Sequence, residues 1–562
     1  MLKANLQYNK PFRSVFLTRL ISLSISTVML IPSVLSGESL PQTNPNPETL
    51  YCNPIIFADY SDPDVIRVND DFYLISSSFT NTPAIPVLHS TDLVHWQLIG
   101  HAVDNLPDAR YNSPQPGQGI WAPSLRYHNG EYWIFYGDPD LGIFMTKSKN
   151  PAGPWKNPVL VKSVKGWIDP CPFWDDDGQA YLVHAWAKSR AGFNGILTLN
   201  KMSLDGTQFL DEGVAVFEGA TNHPTIEGPK MYKRNGYYYI FAPAGGVTNG
   251  WQTVLRSPNI YGPYEARIVL EQGSTAINGP HQGAWIETTD GDSWFIHFQD
   301  KDAYGRIAHL QPMYWKDDWP LIGVDQDGNG IGEPVMSYRR PKTFHSKTDI
   351  NIQTSDDFTA EVPGLQWQWR ANHKPERFSL TANPGRLRLF AMNPASVLNN
   401  LGDLPNIITQ KFPSEELEIV TKISFHSDAE GDQAGLIIIG TDYAVLKIVR
   451  QKNEYLLVQA DCLSADKGHP EIIREKVKID HPDPVLKVAV GRNAVCTFSY
   501  SQDRKPFIPI GRAFPAVKGK WVGAQVGLFA TTLSEKKSAG YADFDFFHVI
   551  IPEKTGSLKG PE

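Results

Sequence analysis

Three carboxylates in the first half of the chain have the residue types and the surroundings for acid–base chemistry. Asp62, Asp169 and Glu227 each precede a proline or a glycine next to an apolar segment, where a proline fixes the backbone direction. Hydrolysis of a glycosidic bond requires such groups, because one protonated carboxyl donates to the leaving oxygen while an ionised one activates water. A third carboxylate near the acid would keep the pKa of that acid high.

The element that must position these side chains is a sequence repeat. A turn rich in Asn and Asp is followed by an aromatic-rich segment, and this unit recurs about every 55 residues, a period typical of repeat architectures. The five copies are residues 69–74, 129–134, 177–182, 235–240 and 290–295. Each turn is a hairpin signal between two strands. Five such sheets arranged radially predict a five-bladed β-propeller with a central funnel.

Equivalent positions in successive blades should lie at equivalent places around the funnel. About seven or eight residues before each turn stand Asp62, Trp121, Asp169, Glu227 and, in blade five, His281 to Gly283. Blades one and four face each other across the axis, which predicts Asp62 as the base and Glu227 as the acid. Asp169 in the neighbouring blade would modulate the acid. A single Asp-Pro pair would indicate only a turn, but three clustered carboxylates raise at least one pKa and indicate an active site.

Aromatic side chains would supply platforms for sugar rings. Trp121 has the funnel position by periodicity, and Phe79 and Trp251 lie in loops expected to follow innermost strands. These two residues are predicted to wall the pocket. A place in the blade core is the alternative for both, since the chain has 15 tryptophans.

The N-terminus is typical of a secretory signal. Positive residues precede an apolar stretch from Leu20 to Leu35, and small residues follow it. The apolar stretch is shorter than the roughly 20 residues that span a bilayer. We therefore expect a signal peptide at 1–36, a flexible leader at 37–52, a secreted or periplasmic protein, and no membrane span in the mature chain. A disordered tail or a membrane anchor is the alternative.

The rest of the chain divides into two predicted domains. The blade pattern holds over 53–340, and a polar linker follows at 341–355. Short alternating strands then predict a β-sandwich at 356–552, before a tail at 553–562. The predicted fold class is therefore all-β. The formal net charge of −8 and the lack of a basic run past the N-terminus argue against a nucleic-acid partner.

Two further patterns have structural interpretations. Cys52, Cys171, Cys462 and Cys496 would permit two disulfides, but a chain of this size needs none, and buried free thiols are favoured. The segment 325–330 begins like a calcium-binding loop, yet its twelfth position is Met336 instead of a glutamate. A β-turn is favoured there, with weak calcium binding as the alternative.

Four segments resemble glycoside hydrolase family 43, whose members are inverting β-xylosidases, α-L-arabinofuranosidases and arabinanases on a five-bladed propeller. They are Ser61-Asp62-Pro63-Asp64, Trp121-Ala122-Pro123-Ser124, Ile168-Asp169-Pro170 and Ile226-Glu227-Gly228-Pro229. The resemblance implies the same base, modulator and acid as the repeat. It also implies that Arg306, Phe79 and Trp121 contact substrate. His281 would border a water or a cation, so a structural calcium in the funnel is possible, and no cofactor is required.

The resemblance continues into the second half. Asp356-Asp357-Phe358 and the segment 364–369 resemble the concanavalin-like jelly-roll sandwich that accompanies the β-xylosidases and arabinofuranosidases of that family. In those relatives the sandwich can close one side of the pocket. This implies release of one terminal β-D-xylosyl or α-L-arabinofuranosyl residue from plant cell-wall carbohydrate.

Two other functions are compatible with a propeller. A carbohydrate-binding propeller without catalysis is one, although a lectin has no need of an acid opposite a base. A retaining fructosidase is the other, although its nucleophile normally follows an Asn that is Ser61 here. The separation of the two carboxyl groups would discriminate, since inverting pairs stand about 6.5–9.5 Å apart and retaining pairs about 5–5.5 Å.

Overall fold

The computed structural model describes residues 49–342, 350–391, 398–503, 505–533 and 538–552. The predicted signal peptide, the leader up to residue 48 and the tail at 553–562 lie outside these ranges. Within the described residues the regular structure is almost entirely strand, and the α-helix is a single turn, α1 (Lys188–Ala191). The predicted all-β class is confirmed. No helix in the described ranges has the length and apolarity that crossing a membrane would require.

Five four-stranded antiparallel sheets form the propeller, after a short strand β1 (Leu50–Cys52). Blade one has β2 (Asp64–Val68), β3 (Asp71–Ile75), β4 (Ala84–Ser90) and β5 (Gln97–Val103). Blade two has β6 (Trp121–His128), β7 (Glu131–Asp138), β8 (Gly142–Ser148) and β9 (Val159–Ser163). Blade three has β10 (Trp167–Trp174), β11 (Ala180–Trp186), β12 (Ile196–Met202) and β13 (Val214–Glu218). Blade four has β14 (Lys230–Arg234), β15 (Tyr237–Ala244), β16 (Trp251–Ser257) and β17 (Glu265–Leu270). Blade five has β18 (His281–Glu287), β19 (Ser293–Asp300), β20 (Arg306–Lys316) and β21 (Trp319–Ile322).

The repeated turns join the first two strands of each blade, as their sequences predict. In blades two and four the turns are Asn129-Gly130 and Asn235-Gly236, and all four of these residues have positive φ. Positive φ at both central residues is the requirement of the hairpin turn whose twist matches the flanking strands. The confirmed five-bladed architecture therefore follows from local turn chemistry repeated five times.

The propeller begins earlier than the sequence pattern indicates. Strand β1 pairs antiparallel with β22 (Ser337–Arg339), which follows blade five. The Asn53 side chain next to β1 donates to the carbonyl of Leu310 in β20 at 2.7 Å. The last residues of the expected leader, 50–52, are thus part of the folded domain, because pairing satisfies their backbone groups.

The second domain is a sandwich of two seven-stranded antiparallel sheets, which confirms that prediction. In chain order its strands are β23 (Gln368–Trp369), β24 (Phe378–Ser379), β25 (Leu387–Phe390), β26 (Ile408–Lys411), β27 (Leu417–His426), β28 (Asp432–Ile439), β29 (Tyr443–Gln451), β30 (Glu454–Cys462), β31 (Ile472–Ile479), β32 (Val485–Val490), β33 (Val495–Ser501), β34 (Ile508–Pro515), β35 (Gln525–Thr532) and β36 (Tyr541–Ile550). The sheet orders are β23-β26-β35-β28-β29-β30-β31 and β24-β25-β36-β27-β32-β33-β34. Side chains alternate between buried and partly exposed along β27, so one face packs on the core.

The sandwich docks on loops of the propeller, and the two domains belong to one compact unit. Thr82 and Trp369 exchange two backbone hydrogen bonds of 2.9 and 2.6 Å. The Asn372 side chain accepts from the backbone N–H of Leu106 at 2.8 Å and donates to its carbonyl at 2.9 Å. Directional polar contacts therefore fix the sandwich next to the segment that carries Phe79.

All four cysteines are free thiols. Cys171, Cys462 and Cys496 are buried as expected, but Cys52 is exposed, since β1 is an edge strand. The segment 325–330 is an exposed turn in which the Asp325 carboxylate accepts from the backbone N–H groups of Gly328 and Gly330 at 2.8 and 3.0 Å. These bonds make the segment the β-turn that the sequence favours, and weak calcium binding there stays a prediction.

Candidate active site

A cavity of about 220 Å³ lies where the first residues of the five innermost strands meet. The structure brings together on its wall every predicted site residue except Trp251. The lining residues are Asp62, Phe79, Trp121, Ala122, Ile168, Asp169, Asn194, Thr225, Glu227, Gly246, Val247, His281, Gln282, Arg306 and Trp521.

The backbone at the cavity is bent in the same way in several blades. Asp62 and Asp169 have φ of 54° and 57°, and Ala122 and Gln282 have φ of 29° and 34°. Residues other than glycine rarely adopt such values, and outside turns these values often mark functional sites. Strand pairing also shifts register at Trp121, after Ile168 and at His281. Such bulges redirect side chains, and here they turn the side chains of the strand starts toward the axis.

Asp62 is buried and uses both carboxylate oxygens as acceptors. The Ser77 hydroxyl donates to Oδ2 at 2.6 Å, and Nη1 of Arg306 donates to Oδ1 at 3.0 Å. Ser77 is held in turn by the backbone N–H of Ala122 at 2.7 Å. An ionised carboxylate only accepts hydrogen bonds, so these donors suit Asp62 as a negatively charged group.

Asp169 is buried between the other two carboxylates. Its Oδ2 accepts from the backbone N–H of Gly228 at 2.7 Å and from Nε2 of Gln282 at 3.3 Å. Burial and the charge of Asp62 raise the pKa of Asp169 to about 7, against the opposing effects of the Gly228 N–H and of Lys230. The hydrogen bond to Gly228 joins Asp169 to the residue that directly follows Glu227.

The pKa of Glu227 is raised to about 8. Burial is the largest cause, followed by the charges of Asp169 and Asp62. Nε2 of His281 lies 3.4 Å from Oε1 of Glu227. Burial lowers the pKa of His281 to about 3, so this imidazole is neutral and does not hold Glu227 ionised. Interacting groups titrate jointly, and the pair of Glu227 and Asp169 retains a proton near neutral pH.

Three aromatic rings enclose the mouth of the cavity. Trp121 makes edge contacts with Phe79 and with Trp521, at centroid distances of 6.4 and 6.1 Å. The Arg306 guanidinium lies 5.7 Å from the Trp521 ring. Trp521 belongs to the sandwich, on the loop between β34 and β35, and sequence reasoning missed it because that loop has no counterpart in the propeller repeat.

The expectation that Trp251 walls the pocket is wrong. Trp251 begins β16, the third strand of blade four, and pairs with Ala244 in β15. Its ring packs against Gly245 and against the buried cluster between blades three and four. The third strand of a blade lies farther from the axis than the first two, so this ring supports the wall from behind.

Other contacting residues escaped the sequence analysis. Gln282 lies in the segment His281 to Gly283 that the repeat places at the funnel, but only His281 was given a role there. Ser77, Asn194 and Thr225 lie in loops outside the repeat-equivalent position, and no pattern marks them.

The sequence associates His281 with a water or a cation in the funnel, and this stays a prediction. Both ring nitrogens are buried without a hydrogen-bond partner. However, the described residues contain no group of three His, Cys, Asp or Glu side chains placed to hold a metal ion. An ion there would rest on His281 and water, and the chemistry derived below uses none.

Asp59 connects the parts of this site that come from different domains. Its Oδ1 accepts from the backbone N–H of Arg306 at 2.9 Å and from the Ser61 hydroxyl at 3.1 Å. Its Oδ2 accepts from the backbone N–H of Gly523 at 2.9 Å, two residues after Trp521. One buried carboxylate therefore holds the segments of Asp62, Arg306 and Trp521 in register.

Asp59→Ala is expected to lower Tm, because the backbone N–H groups of Arg306 and Gly523 lose their buried acceptor. It is also expected to lower kcat/KM about 10- to 100-fold, because the side chains of Arg306 and Trp521 at the cavity are held less firmly. Steady-state kinetics and thermal unfolding would measure both. Asp300→Ala is the control, since Asp300 holds the same loop through Lys518 at 2.9 Å near the surface. Equal effects of the two substitutions would contradict the positioning role of Asp59.

The sequence of this chain resembles those of known protein families. The family described as Glycosyl hydrolases family 43 matches residues 51–320, and the Beta xylosidase C-terminal Concanavalin A-like domain matches 355–550. A putative beta-xylosidase of Xylanibacter ruminicola is 42% identical over 85% of this chain and 86% of its own length. The chain belongs to glycoside hydrolase family 43. It is therefore a glycoside hydrolase, which confirms the resemblance seen in the sequence.

Other members of the family carry different activities in their names. A non-reducing end alpha-L-arabinofuranosidase of Bacteroides ovatus is 32% identical over 69% of this chain and 74% of its own length. The crystal structure of a family 43 protein of Bacillus licheniformis superposes with a TM-score of 0.76 at 27% identity, over 89% of this chain and 99% of the other. The whole two-domain arrangement is thus shared with solved members of family 43.

Proposed function

We propose that this family 43 enzyme is an exported, inverting exo-glycosidase. It would remove terminal β-D-xylosyl or α-L-arabinofuranosyl residues from plant cell-wall oligo- or polysaccharides. The observation that carries the proposal is the contrast between two carboxyl groups in one cavity. Asp62 accepts from Arg306 and Ser77, whereas the pKa of Glu227 is raised to about 8.

The proposed mechanism assigns one role to each carboxyl group. Glu227 is protonated near neutral pH and donates its proton to the glycosidic oxygen as the bond to the anomeric carbon breaks. Asp62 accepts a proton from the water that attacks that carbon from the opposite face, which inverts the configuration. Asp169 keeps Glu227 protonated through its charge and fixes the backbone of Gly228.

The enclosure of the cavity supports removal of single terminal residues. Its volume of about 220 Å³ is below the range of about 300–1,000 Å³ found for pockets that take larger ligands. Trp521 and the rest of the sandwich loop cover one side. A cavity so small and so covered suits one sugar ring better than an internal stretch of polymer.

Release of nitrophenol from β-D-xylopyranoside and α-L-arabinofuranoside substrates tests the activity and identifies the sugar. Family members named for either activity resemble this chain, so both substrates are needed. Proton NMR of the xylose first released from nitrophenyl β-D-xylopyranoside tests inversion, which predicts α-xylose before mutarotation. Initial formation of β-xylose would contradict the inverting mechanism, and no turnover of any of these substrates would contradict the activity.

Export is proposed from the N-terminal sequence. Cleavage near Gly37 would remove residues 1–36 and place the enzyme in the periplasm or the medium. N-terminal sequencing of the protein recovered from these fractions tests this. A protein that retains residues 1–36 in the cell interior would contradict it.

Asp169→Asn is expected to move the alkaline limb of the pH profile to lower pH by about one unit. The acid is active while protonated, so the rate falls as pH rises through its pKa. Removing the charge of Asp169 removes one cause of the raised pKa of Glu227. Measuring kcat/KM on xylobiose from pH 5 to 9 would show the shift.

Asp175→Asn is the matched control for this profile. Asp175 is also buried and bonds Lys233 at 2.6 Å, but it does not line the catalytic cavity. It should leave the limb in place. If the alkaline limb of Asp169→Asn lies at the same pH as that of the wild type, Asp169 does not raise the pKa of Glu227.

A further inference from the structure

A second cavity, of about 450 Å³, lies at the other end of the innermost strands. All five blades contribute to it. Strand β6, for example, begins with Trp121 at the catalytic cavity and ends with His128 at this one. Eight residues of strand place the two ends about 20 Å apart. We call this second cavity the distal mouth of the propeller.

The distal mouth is separate from the catalytic cavity. No residue lines both. Between them, Nη1 of Arg126 contacts the buried Asp64 at 2.8 Å, and Nζ of Lys230 lies 3.6 Å from the same carboxylate. Lys230 also donates to the Ser124 hydroxyl at 2.6 Å. This buried polar cluster lies on strands β2, β6 and β14 between the two cavities, and a ligand of the distal mouth would bind apart from the catalytic cavity.

Aromatic rings of fixed orientation line the distal mouth. The indole N–H of Trp174 donates to the carbonyl of Leu204 at 3.2 Å, and that of Trp285 donates to the Ser293 hydroxyl at 3.1 Å. The Trp174 ring also stacks on His128, at a centroid distance of 4.4 Å, and both tryptophans remain partly exposed. Tyr127 is 47% exposed at the same cavity. Rigid, partly exposed rings offer apolar contact area at little cost in conformational entropy.

The charged groups of the distal mouth are largely compensated. Lys233 bonds Asp175 at 2.6 Å and Asp176 at 3.1 Å. Arg126 is paired with Asp64, and Nε of Arg67 donates to the carbonyl of Glu287 at 2.6 Å. Lys233 and Arg126 are therefore paired with carboxylates, whereas Arg67 donates to backbone carbonyls. The carboxylate of Asp176 is 88% exposed and keeps free acceptor positions for hydroxyl groups.

We propose that the distal mouth binds a neutral saccharide, a second stretch of the polysaccharide on which the enzyme acts. Stacking rings combined with carboxylate acceptors and no unpaired cation cluster match a polyol ring. The volume is about twice that of the catalytic cavity and lies in the range of small-molecule sites. Binding there would hold the enzyme on its polymer and raise the effective concentration of chain ends. The identity of this saccharide as xylan rests on the proposed function.

Calorimetric titration with xylohexaose tests the site, in a Glu227→Gln background so that the ligand is not consumed. Two binding events are expected. Trp174→Ala and Tyr127→Ala should each weaken one of them about three- to tenfold, and Trp121→Ala should weaken the other. Tyr314→Ala is the matched control, because Tyr314 is 48% exposed and lies outside both cavities.

Activity provides a second readout in the otherwise wild-type enzyme. Tyr127→Ala should leave turnover of nitrophenyl xyloside unchanged and reduce retention on insoluble xylan. A single binding event, or affinity that is unchanged in Tyr127→Ala, would overturn the proposal. Tyr127 is exposed, so this variant remains decisive if Trp174→Ala fails to fold. Lack of turnover by the wild type would contradict the proposed function, whereas the titration still decides the distal mouth.

Discussion

Asp62→Asn is expected to lower kcat by about 10³-fold or more, at the upper part of the range of general acid–base effects. The amide keeps the shape of the carboxylate but cannot take a proton from water. Because every substrate is attacked by the same water, the loss should be equal for nitrophenyl xyloside and for xylobiose. KM should change little, since the aromatic wall remains in place. Steady-state kinetics on both substrates would measure this.

The control for Asp62→Asn is Asp104→Asn, at a carboxylate of the same propeller that is 78% exposed. It should retain full activity. If Asp62→Asn keeps a tenth or more of wild-type kcat on either substrate, Asp62 does not act as the base. Thermal unfolding would establish that the variant is folded, because Asp62 also contacts Arg306.

The propeller could be predicted because its signals are local and repeated. Four of the five turns contain Asn-Gly or Asp-Gly and the first is Asn69-Asp70; each predicts a hairpin, and five hairpins predict five blades. In the sandwich, β27 alternates in burial and β28 is strongly apolar, and both patterns predict strands. Strand β35 is buried on both faces and ends in threonines, and β34 contains a proline, a glycine and an arginine, so neither strand has a comparable sequence pattern.

The site residues that could be predicted are likewise those that belong to the repeat. Asp62, Asp169 and Glu227 occupy repeat-equivalent positions, so periodicity alone brings them together. Trp521 and Asp59 act between the domains, and their roles depend on docking contacts between residues more than 400 positions apart in the chain. Trp251 was placed wrongly because the repeat identifies the blade of a residue more reliably than its distance from the axis.

Glu227→Gln is expected to have an effect that depends on the leaving group. Departure of a sugar alkoxide from xylobiose requires a proton, so the loss of kcat/KM should reach about 10³- to 10⁴-fold. Nitrophenolate leaves without a proton, so the loss on nitrophenyl xyloside should be about tenfold or less. The wild-type alkaline limb reports the raised pKa of Glu227. It should disappear from the remaining activity of the variant on the aryl substrate.

The comparison of Asp62→Asn with Glu227→Gln then separates base from acid. If the two roles were exchanged, Asp62→Asn would show the dependence on leaving group and Glu227→Gln would lose both activities equally. Equal losses in both variants would argue against a proton donor distinct from the base. The different hydrogen-bonding environments of the two carboxyl groups favour the stated assignment, because Arg306 and Ser77 donate to Asp62 whereas the neutral His281 faces Glu227.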